Sequence, residues 1–342
     1  MRRLYSIQSL RAIAASLIVL LHIRGIEEIY GDPTKSLLSW YQGGYGVDIF
    51  FVISGFIMVY VTHNKPSGPA YSREFFAKRI IRVVPVYWFY TFVLVCLLLV
   101  VPQAFMDTEF DLMRTVKSLF FIPQDQLPIH SIGWTLNFEM YFYLLFALFL
   151  LLPRRSLLPG FSILFFALVI LGRIVAFDSP VLRQITNPIV IEFLIGMYIG
   201  WFLVRDKYLP TGMAWACTLT GVSLLVLSFF VRWGGHRLMF WGIPGGLIVL
   251  GALSLERNAI PFSGGISKVG DSSYSLYLSH PFIVFGVGKI LAVLGLAGYL
   301  YNASLIMLAF VTSVVVGIIS YNTIERPSSK RLARRYVRRQ FA

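Results

Sequence analysis

Ten apolar runs, roughly 7–24, 42–62, 84–101, 134–152, 161–177, 187–204, 212–231, 238–255, 272–292 and 299–320, decide what this chain can become. Each is long enough, or nearly so, to cross about 30 Å of hydrocarbon as a helix. A chain that is 57% hydrophobic and only 13% charged is too apolar for an ordinary soluble domain. Polar residues interrupt several runs, which a polytopic bundle tolerates and a lone anchor does not. The expected fold is an all-α integral membrane protein, with about ten transmembrane helices in one bundle. The first run reads as retained rather than as a signal peptide, because Arg11 and His22 interrupt it and no small-x-small cleavage site follows closely.

The formal net charge of +14 follows membrane topology instead of a nucleic-acid face. With the N-terminus in the cytoplasm, the inner segments hold 20 Lys or Arg and the outer ones eight. That asymmetry satisfies the positive-inside rule, and an even number of spans puts both termini in the cytoplasm. The tail ERPSSKRLARRYVRRQFA then lies against anionic lipid head groups, with RNA binding as the weaker alternative. Cys96 and Cys217 fall inside spans, so neither a disulfide framework nor a metal site is expected. No P-loop, dinucleotide fingerprint or repeat is present.

Charged and polar residues inside the spans carry the functional signal. Arg11 and His22 are eleven steps apart on the first helix, which returns the second side chain almost to the face of the first, about 16 Å along the axis. An ionisable group in hydrocarbon costs at least about 2.5 kcal/mol, so such groups face a protein interior and mark a pathway or site. Alone, Arg11 reads as an interface snorkeller and His22 as a helix-end histidine; as a pair on one stripe they point to function. Asp48 opens the second span among Gly43, Gly44, Gly46 and Gly55. It is either a carboxylate favoured by the helix dipole or part of a site. Glu139, in WTLNFEMYFY, requires a partner at its own depth, and His22 and Asp48 qualify; a buried structural glutamate is the alternative.

Lys78, Arg79 and Arg82 crowd the inner mouth of the third span. Topological anchoring explains them without a ligand, yet arginine forks also suit phosphates. The connection 102–133, acidic at Asp107, Glu109, Asp111 and Asp125, is expected to hold an interfacial or partly re-entrant segment. Glu192 is a further polar partner, and GIPGGL at 242–247 a kink or close-packing site. The ninth span carries Tyr277 and His280 ahead of Pro281 in SYSLYLSHP; His280 reads as packing or lining the polar lane rather than as a second base.

The ordered set RAIAASLIVLLH, GVDIFFVISGF, KRIIRVVPVYW, WTLNFEMYFY and SYSLYLSHP resembles the acyltransferase 3 family of ten-span membrane O-acyltransferases, among them exopolysaccharide-modifying acetyltransferases. The resemblance implies that Arg11 and His22 are essential and that Lys78, Arg79 and Arg82 serve the acyl-donor side. It implies one transmembrane acyltransferase domain over 1–325, followed by a basic cytoplasmic tail over 326–342. Some members add a C-terminal periplasmic esterase-like domain; this chain stops soon after the tenth span, so substrate positioning by such a domain is expected to be absent or supplied by another protein.

On this reading a bacterial inner-membrane enzyme transfers acetyl, or another acyl group, from cytoplasmic acetyl-CoA or acyl-CoA to a hydroxyl of a periplasmic or lipid-linked glycan, without a metal. His22 is the general base, and Glu139 or Asp48 orients it. Arg11, Lys78, Arg79 and Arg82 hold the donor. Trp134, Tyr277 and His280 contact substrate, the first two also as oxyanion donors. Membrane lipids and polysaccharide-assembly proteins are the other expected partners. A secondary transporter or glycan flippase would use intramembrane Arg, His and Glu equally well.

Overall fold

The computed structural model describes residues 3–30, 36–104, 109–230, 236–296 and 302–340; Lys35, Asp107 and Arg232 lie outside them. The order is α1 (Tyr5–Tyr30), α2 (Gly46–Thr62), α3 (Pro69–Val100), α4 (Leu112–Leu119), α5 (Trp134–Phe149), α6 (Leu157–Ile174) and α7 (Pro180–Ile185). Then come α8 (Val190–Leu203), α9 (Thr211–Leu227), α10 (Ile243–Arg257), α11 (Gly264–Asp271), α12 (Ser273–Val293), α13 (Asn302–Ser320) and α14 (Arg326–Gln340). No strand occurs among the described residues. With no water in hydrocarbon to pair an open backbone, the helix is the form that satisfies every N–H and C=O within its own segment.

Nine helices among the described residues are long and apolar enough to cross a membrane, which makes this an all-α multi-pass membrane protein. They coincide with nine of the ten runs when the turns leading into them are included; the seventh run forms α9, whose 17 residues fall short of that length. The third helix also begins earlier than its apolar run. Pro at its first position opens α3 at residue 69, fifteen residues upstream, so Lys78, Arg79 and Arg82 belong to the same rod as the apolar segment. At 32 residues and about 1.5 Å each, α3 exceeds the hydrocarbon thickness.

The chain divides into two compact units, Met1–Ile53 with Phe202–Thr323, and Ser54–Trp201 with Ile324–Ala342. In the first, α1 is the central post, packed by α10, α11, α12 and α13. Ala15, Val19, Ile23 and Ile26 of α1 meet Leu276, Val284 and Leu291 of α12 and Leu305 and Ala309 of α13. Glu256 at the end of α10 caps α1, accepting from Tyr5 N at 2.9 Å and from Ser6 N and Oγ at 2.8 and 2.5 Å. This answers the otherwise unpaired N–H groups of a helix start with a carboxylate that the dipole favours. Gly270 lets α11 approach α1 closely, since a Cβ there would lie 1.9 Å from Gln8 O.

The second unit has an aromatic core, with Phe142 stacked on Phe193 at 4.3 Å and Phe161 and Phe165 buried beside it. Gly55 admits the α8 backbone, where a Cβ would sit 1.9 Å from Phe193 O. The basic tail continues as α14 against α3. Within the 102–133 connection, Asp111 accepts from Arg114 N at 2.8 Å and starts α4. Thr115 and Ser118 face inward there while Leu112 and Met113 face out, the polarity of a helix lying in a lipid interface.

Candidate active site

One uninterrupted helix carries both Arg11 and His22. Arg11 is buried, and its Nη1 reaches Gln8 Oε1 at 3.4 Å. His22 is half-buried, with Nδ1 2.9 Å from Ile18 O and 3.3 Å from Nε2 of His280. The two rings meet edge to face at 4.8 Å and 68°. His280 is fully buried on α12, its own Nδ1 3.2 Å from Leu276 O.

These distances assign the tautomers. A carbonyl oxygen only accepts, so each imidazole presents an Nδ1–H to the carbonyl four residues earlier on its own helix. His280 Nε2 then carries a lone pair, and His22 Nδ1–H is shared between it and Ile18 O. The nitrogen left basic on His22 is Nε2. Tyr277 extends the chain of rings, 5.9 Å from His280 and 6.4 Å from Phe50.

Asp48 is otherwise engaged. It lies in the first turn of α2, fully buried, and both its oxygens accept from Arg237, from Nε and Nη2 at 2.8 Å each. The guanidinium in turn covers the Trp241 ring at 5.0 Å. In the unit that holds both Asp48 and His22, the group set against the imidazole is therefore His280, and the expected carboxylate is held by an arginine 189 positions away in sequence.

In the second unit, half-buried Glu139 on α5 accepts from Ser54 Oγ at 3.0 Å and from the Tyr143 hydroxyl. Arg79 lies over the Tyr143 ring at 5.8 Å and the Phe75 ring at 5.4 Å. Its Nε is buried and has no hydrogen-bond partner among the described residues. Lys78 pairs with Glu74 and is exposed; Arg82, one turn on, is half-buried. Trp134 is half-buried and packs edge to face on Phe138 at 6.1 Å, and Glu192 is fully buried in the first turn of α8.

Residues 4–322 match the acyltransferase 3 family, described as an acyltransferase domain. The chain belongs to that acyltransferase family. This acyltransferase is 39% identical over 306 residues to the exopolysaccharide production protein ExoZ of Rhizobium meliloti, covering 84% of this chain and 90% of that one. It is 25% identical over 370 aligned residues to the O-acetyltransferase OatA of Staphylococcus aureus, covering 96% of this chain and 58% of OatA. No solved structure matches it.

Three side chains of this acyltransferase escaped the sequence reading. They are Arg237, one of the eight outer basic residues, with Tyr143 and Ser54. A tyrosine four residues after a glutamate on one helix is the local signal that could have found Tyr143.

Proposed function

We propose that this chain transfers an acyl group, acetyl in the first instance, from cytoplasmic acyl-coenzyme A to a hydroxyl of a glycan beyond the bacterial inner membrane. The observation that carries the reading is the His22–His280 pair, which leaves one imidazole nitrogen of a membrane helix basic. The names of the two relatives, exopolysaccharide production and O-acetyl transfer, support the acceptor class.

His22 Nε2 takes the proton of the attacking hydroxyl as the sugar oxygen bonds to the thioester carbonyl carbon. The tetrahedral intermediate then expels sulfur as the C–S bond breaks, and the proton on His22 passes to the thiolate. The products are an O-acyl ester and free coenzyme A. As His22 becomes cationic, its Nδ1–H bonds to Ile18 O and His280 Nε2 strengthen, the service a triad carboxylate gives. Trp134 and Tyr277 are the proposed contacts for acceptor and oxyanion, and Arg11 belongs to the donor route.

His280 is a positioning residue in this scheme. His280→Leu removes the acceptor beside His22 Nδ1 and lowers kcat about tenfold, with KM for donor and acceptor unchanged. His280→Gln keeps an acceptor oxygen and recovers most of the rate. Equal kcat in both variants would reduce His280 to packing.

For the donor, the buried and unpartnered Arg79 Nε fits a phosphate oxygen, with Arg82 and Lys78 on the same helix. Calorimetry of coenzyme A on Arg79→Ala should give a Kd about 10- to 100-fold weaker. An unaltered Kd returns the cluster to membrane anchoring. The function itself is tested with purified protein in nanodiscs, labelled acetyl-CoA and deacetylated surface glycan. Glycan-dependent thiol release with ester formation is expected. Glycan movement without thiol release would favour a flippase.

A further inference from the structure

We propose that an aromatic platform beside α1, with Trp40 as its stacking surface, is a subsite for a pyranose ring of the acceptor glycan. The proposal rests on the acyl-transfer reading above. The segment WYQGGY between α1 and α2 folds its rings against Phe229 and Trp241. Trp40 meets Phe229 edge to face at 5.4 Å and Tyr41 at 6.1 Å; Tyr41 and Tyr45 each lie 5.8 Å from Phe229, and Tyr45 is 6.5 Å from Trp241. Tyr41 and Tyr45 are buried, whereas Trp40 is 57% exposed. The indole is therefore an open surface with a rigid aromatic backing. Gly43 makes the fold-back of the Tyr41 ring feasible, since a Cβ at that position would fall 2.1 Å from the Tyr41 hydroxyl oxygen.

Two features set this cluster apart from the belt of aromatic residues at a membrane surface. A belt ring keeps its polar tip among the head groups and needs no fixed orientation. Here the Tyr41 hydroxyl turns inward and donates to Leu17 O at 2.9 Å, while Arg24 Nη1 donates to Tyr41 O at 2.8 Å. The platform is thus bolted at two points to the stretch of α1 that carries the base. Leu17 O and Ile18 O, the carbonyls holding Tyr41 and His22, are consecutive. At its other edge stands the Asp48–Arg237 pair, with Arg237 over Trp241 and partly exposed.

That combination matches a sugar. A pyranose ring offers a face of weakly positive C–H groups to the negative face of an indole, and its equatorial hydroxyls suit a planar charged group alongside. Sites for small ligands have this makeup, apolar walls with a few fixed polar groups. A lipid chain would use the rings but leave the partly exposed guanidinium of the Asp48–Arg237 pair without a polar contact from the ligand.

The test uses the full chain in nanodiscs and oligosaccharides made by deacetylating the producing cell's own exopolysaccharide. Binding is read by isothermal titration calorimetry, which does not depend on the substituted indole or on turnover, and acyl transfer is followed in the same preparation. Trp40→Ala should weaken oligosaccharide binding and raise the acceptor KM about tenfold. Trp40→Phe should restore most of both, and coenzyme A affinity reports that the fold persists. Equal oligosaccharide affinity in wild type and Trp40→Ala overturns the subsite, as does an absence of binding by wild type. Binding that depends on Trp40 in a protein that releases no coenzyme A would keep the subsite and sink the acyl-transfer reading instead.

Discussion

Replacing His22 with alanine is expected to lower acyl transfer by about 10²- to 10⁴-fold, the range a positioned general base contributes. The size of the effect follows from the tautomer argument. Ile18 O and His280 Nε2 both engage Nδ1, so Nε2 is the basic atom, and alanine removes it. The fold should survive, because His22 is half-buried and its polar contacts are one ring and a carbonyl that the α1 backbone already satisfies. Gel filtration and coenzyme A calorimetry on the variant separate lost chemistry from lost structure. Turnover within about threefold of wild type would remove the base assignment, since that is no more than one ordinary hydrogen bond is worth and far below a general base's contribution. It would also favour a non-catalytic scaffold for polysaccharide assembly.

The largest loss of stability is expected at a residue without any chemistry. Glu27 is fully buried near the end of α1 and accepts four hydrogen bonds: from Ser36 Oγ at 3.0 Å, Leu37 N at 2.6 Å, Leu38 N at 3.0 Å and Asn302 Nδ2 at 3.0 Å. One carboxylate thus folds the segment after α1 back upon it and ties both to α13. Glu27→Ala strands all four donors, and removing one member of a buried charged network costs about 3–5 kcal/mol. Thermal denaturation in detergent should show the drop, with lower yield from membranes. Because Leu37 and Leu38 lead directly into Trp40, the variant should lose acceptor affinity as well. A midpoint within a degree of wild type would mean that water replaces the carboxylate.

Much of the architecture was legible in the residues. Apolar runs locate helices in a membrane protein because lipid forbids an unpaired backbone, so nine runs reappear as long helices. The spacing of Arg11 and His22 placed them on one rod, since helical periodicity is a local property. The start of α3 was missed because its first fifteen residues are polar enough to end a hydropathy window while remaining helical. α3 and α12 each carry an internal proline, Pro85 and Pro281, within a single helix.

By itself the sequence determined that this is a multi-pass helical membrane protein of an acyltransferase family and which charged groups lie within its spans. Hydropathy and periodicity are written in neighbouring residues, and the motifs are contiguous. The tertiary structure alone decided who holds whom: His280 at His22, Arg237 at Asp48, Ser54 and Tyr143 at Glu139. Except for Tyr143, these partners stand 85 to 258 positions apart, and a buried charge accepts any donor that packing brings within about 3 Å. Reach of that kind belongs to the folded chain, because only helix packing sets which distant side chains share a depth.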